Sequence, residues 1–189
     1  MADQKISAMP SAAALTGAEL VPLVQSGANV QANLTSIGAY VTATNLGYGE
    51  IYVTGGSTSQ TTSGTANTYT QLTAFTTNGS SATGVTPVSA SDKITLVNPG
   101  TYQVMFNASF TATNNHTFSF RCYNLTSGTA FGNTVGSNHT NSTEVHQVGF
   151  NGLITVSANQ DIIVQVSSTD TSQPFTIING NFMAIQLGA

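Results

Sequence analysis

From Tyr69 onward, hydrophobic and polar residues alternate through a series of short runs that are separated by turn signals. The clearest run, TYQVMFNASF, places five apolar residues on one face: Tyr102, Val104, Phe106, Ala108 and Phe110. On the opposite face only Met105 interrupts the polar character. A period of two residues is typical of strands with one buried face. Since no helical pattern of useful length follows Val41, the chain is predicted to be all-β, an antiparallel jelly-roll sandwich.

The N-terminal stretch predicts a smaller module in front of this domain. The run LVPLVQ, which begins at Leu20, is apolar enough for a strand, SGAN is a turn, and Val30–Leu34 can return as a second strand. Pro22 has no N–H, so the first strand must lie at an edge or on another surface. Thr35 can cap a short helical turn over Ile37–Val41. A lone hairpin is marginally stable in water, so this extended arm of β-hairpin plus short helix needs a partner surface.

The same patterns divide the chain into three segments. Residues 1–45 form the predicted N-terminal arm, and residues 69–189 form the predicted jelly-roll head. Between them, residues 46–68 hold a strand followed by TGGSTSQTTSGTA. That composition is typical of a flexible linker or of a surface loop inside the domain, and both readings stay open.

Charge excludes two classes of partner. The chain has three Lys and Arg residues against seven Asp and Glu, and its net charge is −4. Nucleic-acid binding and polybasic membrane contact both require clustered cations, so we expect neither partner. The opening residues MADQKISAMP lack the apolar run of a signal peptide, and no run approaches the roughly 20 apolar residues of a membrane helix. We therefore expect synthesis in a cytoplasm.

Candidate chemistry is sparse. A three-histidine metal site is conceivable if His116, His139 and His146 converge, although His139 is predicted in a loop; the alternative is core or strand-end histidines. Cys122, on an apolar face, is predicted to be a small buried hydrophobe. The acids fall in different segments without the close pair that a glycosidase needs, although a calcium site from loop acids is conceivable. We predict no catalytic site, no cofactor and no metal site.

The C-terminal part resembles the jelly-roll heads of the complement and tumour-necrosis-factor superfamily. The resemblance rests on ITLVNPGTYQVMFNASF, on GLITVSANQDIIVQV and on the final strand NGNFMAIQL. It implies a trimer, because such heads usually pack around a threefold axis through apolar sheet faces. The final strand is apolar on both faces, which points to a neighbouring subunit on one of them. The predicted trimer interface comprises Phe182, Met183, Ile185 and Leu187.

The N-terminal part resembles the short leader of many tailed-bacteriophage virion proteins. The matching string is KISAMPSAAALTGAELVPLVQSGANVQANLTSIGAYV. The resemblance implies that the arm anchors a trimeric β head to a virus particle made in the bacterial cytoplasm. The predicted anchoring residues are Glu19, Leu20, Val21, Pro22, Leu23, Val24 and Gln25.

Together the two resemblances imply a non-enzymatic virion structural protein. The first expectation is a homotrimeric capsid decoration or cement protein that clamps the major capsid protein or another virion protein through its arms. The alternative is a short tail fibre or head fibre, an adhesin whose head binds host surface glycans. Clustered exposed aromatic residues would favour the adhesin, whereas plain Ser and Thr loops would favour decoration. A third reading, a depolymerase, is disfavoured by the scarcity of acids.

Overall fold

The computed structural model describes residues 18, 20–25, 28–33 and 46–188. Contacts between residues divide the chain into two units, 1–45 and 46–189. Within the described ranges, no helix is both long and apolar enough to cross a membrane.

The first unit contains an antiparallel hairpin. Strand β1 (Leu20–Gln25) pairs with strand β2 (Ala28–Asn33), with Leu20 opposite Asn33 and Gln25 opposite Ala28. The predicted hairpin is therefore confirmed. Its second strand begins at Ala28, two residues before the predicted start at Val30. The predicted helical turn and the predicted anchoring residue Glu19 lie outside the described residues.

The second unit consists of short strands followed by long ones. The short strands are β3 (Tyr48–Val53), β4 (Ser59–Thr61), β5 (Thr70–Gln71), β6 (Thr77–Ser81), β7 (Val85–Val88) and β8 (Lys93–Leu96). The long strands are β9 (Gly100–Ala112), β10 (His116–Asn124), β11 (Thr129–His139), β12 (His146–Val156), β13 (Gln160–Ser168) and β14 (Pro174–Gly188). A single 3₁₀ turn, Ser89–Ser91, lies between β7 and β8.

These strands form two antiparallel sheets. Sheet I has the order β11-β10-β13-β8-β7, with β5 also pairing with β13. Sheet II has the order β12-β9-β14-β3-β6, with β4 also pairing with β14. The predicted all-β antiparallel sandwich is confirmed. Its core lies between the two sheets and is built from the apolar face of each long strand.

Aromatic rings form the centre of this core. Phe106 on β9 lies with its ring centroid 5.3 Å from that of Phe150 and 5.9 Å from that of Phe120. Phe75 approaches Phe106 edge-on at 6.4 Å, so rings from both sheets and from a loop meet at one point. All five residues predicted on the inner face of β9 are buried, as the alternation required.

The structure adds detail that the pattern did not give. Part of the segment predicted as a linker or loop pairs with the head, because β4 lies along β14. Strand β11 was not predicted, and His139 lies at its end, completely buried, rather than in a loop. The register of β14 with β9 shifts between Ile177 and Asn179, which places a bulge in β14.

Candidate functional site

The outer face of sheet II carries three of the exposed large apolar side chains of the described residues. Leu153 is 62% exposed, Leu187 is 50% exposed and Tyr48 is 44% exposed, and each lies on an edge or central strand of this sheet. Half-buried Met105, Met183 and Ile185 lie between them. We call this set the apolar patch: Tyr48, Met105, Leu153, Met183, Ile185 and Leu187.

Strand register brings these residues together. Ile185 lies opposite Tyr48 of β3 on one side and Gln103 of β9 on the other, and Gln103 in turn lies opposite Leu153 of β12. In the neighbouring row on the same face, Met183 of β14 lies opposite Met105 of β9. Side chains directly opposite each other on one face of a sheet are in contact distance, so the patch residues lie in two neighbouring rows across four strands, with Gln103 as the polar member between Ile185 and Leu153.

One predicted interface residue lies on the other face. Phe182 is completely buried and stacks on Phe75, with ring centroids 6.1 Å apart, so its side chain belongs to the core of a single subunit. It is opposite Phe106 and Ile51, which are also buried. The structure therefore assigns only Met183, Ile185 and Leu187 of the predicted interface to the outer face. The sequence analysis did not identify Tyr48 and Leu153 as part of this surface. The available signal was Met105, an apolar residue on the otherwise polar face of β9.

The other half of the same face is polar. A shallow depression of about 580 Å³ is lined there by the side chains of Tyr52, Asn107, Ser109, Gln147, Asn179 and Asn181. Asn181 donates a hydrogen bond to Glu50 at 2.6 Å, and Asn179 donates one to Ser109 at 3.4 Å. The face thus changes along β14 from amide-rich to apolar.

The histidines gather at one end of the sandwich but do not form a ligand set. His139 and His146 lie with ring centroids 3.8 Å apart, whereas His116 is held by Asp170 through a 2.7 Å contact between Nδ1 and Oδ2. His146 contacts Ser137 at 3.1 Å and Glu144 at 3.4 Å. Within the described part of the chain, no group of three or more His, Cys, Asp or Glu side chains is placed to hold a metal.

His139 is the one completely buried histidine of the three. It is packed between Phe110 and Phe118, at 5.0 and 6.2 Å between ring centroids, and neither ring nitrogen has a hydrogen-bond partner. Burial and then the charge of His146 lower the pKa of His139, which the nearby carbonyls of Asn141 and Phe110 and the Glu144 carboxylate only partly offset. The neutral imidazole is therefore the stable form in the fold.

The remaining titratable groups serve local bonds. Asp161 accepts hydrogen bonds from Lys93 at 2.8 Å and Thr95 at 2.6 Å, and Asp92 accepts one from the backbone N–H of Phe75 at 2.8 Å. Burial raises the pKa of the Cys122 thiol well above its usual range, which disfavours the reactive thiolate. These groups stabilise strands and turns.

Comparison with known proteins bears on the fold. No protein-family model matches the sequence, and no curated protein matches it. The globular domain of zebrafish complement 1qA protein has a similar structure, with 11% identity and a TM-score of 0.50 over 74% of this chain and 96% of that one. Murine APRIL (9%, TM-score 0.47, 74% and 99%) and PRD1 vertex protein P5 (17%, TM-score 0.46, 75% and 97%) are also similar. The likeness to the complement domain shows that this chain has the jelly-roll fold.

Proposed function

We propose that this protein is a non-enzymatic structural component of a tailed-bacteriophage virion, a homotrimer that decorates and cements the capsid. The apolar patch is the single observation that supports the trimer most directly. Exposed apolar side chains gathered on one sheet face are typical of protein–protein interfaces, and burying them between subunits would stabilise the assembly. The resemblance to complement and tumour-necrosis-factor heads favours three copies around one axis.

The leader supplies the proposed contact with the particle. Among the described residues its hairpin is a two-stranded sheet, so the outer edge of each strand is not paired with a further strand. The Leu20 side chain is exposed, and Val21 is half-buried. Three such arms held by one trimer would bind the major capsid protein or another virion protein with the avidity of a trivalent ligand. The mechanism is a physical clamp across neighbouring capsid subunits.

The trimer is tested by introducing charge into the patch. Light scattering of the wild-type protein at micromolar concentration should give about three times 19.4 kDa. Leu153→Asp should reduce this to the mass of one chain, because it places a carboxylate inside the proposed interface. The matched control is Leu125→Asp, since Leu125 is 48% exposed but follows β10 in sheet I, outside the patch. A wild-type monomer, or equal behaviour of the two variants, would contradict the proposed interface.

The arm is tested by removing residues 1–45. The shortened chain should remain a soluble trimer with an unchanged β circular-dichroism spectrum, but it should no longer co-sediment with particles. The Leu153→Asp variant is the control. It keeps its arm but should be a single chain, so it should bind particles only weakly. Continued co-sedimentation of the shortened trimer would place the anchor elsewhere, and aggregation of the shortened chain would mean that the leader completes the head.

A further inference from the structure

Arg121 differs from Lys93, the other Lys or Arg among the described residues. Lys93 pairs with Asp161 at 2.8 Å, and the carboxylates of Asp170 and Glu144 lie beside His116 and His146, at 2.7 and 3.4 Å. Arg121 has no carboxylate of the described residues within 4 Å, although the protein is acidic overall. Its positive charge is therefore available to an external anion.

The guanidinium is held in one orientation. Its central carbon lies 3.8 Å from the centroid of the Tyr69 ring and 5.5 Å from that of Tyr123. Its Nε donates a hydrogen bond to Gln165 at 2.9 Å, and Gln165 is directly opposite Arg121 across the β10–β13 pair. A stacked and hydrogen-bonded guanidinium loses little further freedom when it binds a ligand.

The surrounding surface is packed although it faces outward. Ile163 lies on the outer face of sheet I, between Tyr123 and Lys93 in register, and is only 1% exposed. Because Ile163 is buried although it faces outward, neighbouring side chains lie over it and cover apolar surface.

This arrangement specifies the chemistry of a ligand. Arginine has five N–H donors, and one is used by Gln165, so the edge formed by the two terminal nitrogens is free to grip a carboxylate with two parallel hydrogen bonds. Within the described residues Arg121 is the one Lys or Arg without a carboxylate partner, and a single positive charge does not suit a polyphosphate. The tyrosine rings, Gln165 and the hydroxyls of Ser119 and Thr117 on the same strand supply the mixed aromatic and polar surface that binds a sugar ring.

We propose that the outer face of sheet I around Arg121, Tyr69 and Tyr123 is a binding site for an acidic saccharide, in which Arg121 grips the sugar carboxylate. The site lies on the sheet opposite the apolar patch, so association through sheet II leaves it open. A trimer would present three such sites and multiply a weak individual affinity. The head would then recognise a surface as well as form an assembly.

The experiment compares sugars that differ only at the carboxylate. Full-length protein is titrated by isothermal calorimetry and by nuclear magnetic resonance with oligosaccharides ending in glucuronic acid or in N-acetylneuraminic acid, and with their carboxyl-reduced counterparts. At least one acidic sugar should bind roughly tenfold or more tightly than its reduced form, as expected for a lost charge-assisted pair. Arg121→Gln should abolish this difference, and Arg121→Lys should restore only part of it, because ammonium cannot form the two-pronged contact.

Two controls separate binding from folding and from net charge. Lys5→Gln removes one positive charge in the leader and should leave binding unchanged. Thermal unfolding of each variant reports whether it is folded, and Arg121→Lys keeps the test valid if Arg121→Gln unfolds. The proposal is overturned if acidic and reduced sugars bind equally, if neither binds at millimolar concentration, or if a folded Arg121 variant binds like the wild type. Arg121-dependent binding of an acidic peptide in place of the sugars would also overturn it.

Discussion

Replacing His139 by Phe should remove an acid-sensitive contribution to stability. His139 is buried against Phe110 and Phe118, and its pKa is lowered chiefly by burial. The pKa of His139 is lower in the folded chain than in the unfolded chain, where it is near 6.5. Its contribution to the free energy of unfolding is therefore complete above pH 6.5 and is lost as the pH falls below that value. The unfolded chain then takes up a proton that the folded chain resists.

The size of the effect follows from proton linkage. While folded His139 stays neutral, each pH unit below about 6.5 lowers the free energy of unfolding by up to about 1.4 kcal/mol. Because a domain is typically stable by only roughly 5–15 kcal/mol, a change of this order over one pH unit is large enough to measure. His146, Ser137 and Glu144 face the same ring cluster, and the Glu144 carboxylate makes this figure an upper bound.

Urea unfolding from pH 7.5 to pH 5, followed by circular dichroism at one protomer concentration, measures the effect. The difference between wild type and His139→Phe should shift in favour of the variant as pH falls through 6.5. Phe106→Leu is the control, because it alters a buried ring that does not titrate, so it should lower stability without changing the wild-type pH slope. Parallel curves for wild type and His139→Phe across the whole range would refute the assignment of a buried neutral imidazole.

Four further results are expected. Phe106→Ala should lower the free energy of unfolding by about 3–5 kcal/mol, measured by urea denaturation, because Phe106 is completely buried among other rings. Asp161→Asn should lower the free energy of unfolding by about 1 kcal/mol at pH 7. Burial raises the pKa of Asp161, but the hydrogen bonds from Lys93 and Thr95 and the Lys93 charge outweigh this and lower the pKa. The stability difference between wild type and variant should therefore fade as the pH falls below about 3.8. Gly132→Ala should lower the melting temperature, since Gly132 has φ +68° and an added Cβ would lie 3.2 Å from the Cα of Gly152. Cys122 should react with a thiol reagent only at the rate of unfolding, and rapid labelling of the native protein would contradict its burial.

The long strands could be predicted from the sequence because burial on one face imposes a period of two. Val148 and Phe150 of β12, and Ile162, Val164 and Val166 of β13, are buried as the alternation required. Strand β11 could not be found in this way, because most of its residues are exposed and its sequence is polar and Gly-containing. The brief strands β4 to β7 bury few side chains, so they leave no periodic signal.

The candidate site could be predicted only in part, because composition within a strand does not reveal the neighbours of that strand. The apolar outer face of β14 was visible in Met183, Ile185 and Leu187, but its continuation to Tyr48 and Leu153 depends on the order β12-β9-β14-β3. Phe182 was assigned to the interface because sequence alone does not say which of two apolar faces is the inner one. Likewise, nothing in the sequence brings Tyr69 to Arg121, since that contact depends on β5 pairing with β13.

The central position of β14 in sheet II has a consequence for synthesis. Its bond to Glu50 spans 131 positions of the chain, and its bond to Ser109 spans 70. At the usual translation rate of about 5–20 residues per second, β3 waits roughly 7–26 s for the strand that pairs with it. During that interval the future neighbours of β14 expose unpaired strand edges and apolar side chains on the ribosome. We expect slow, largely post-translational folding, because sheet II cannot be completed until the last part of the chain has been made.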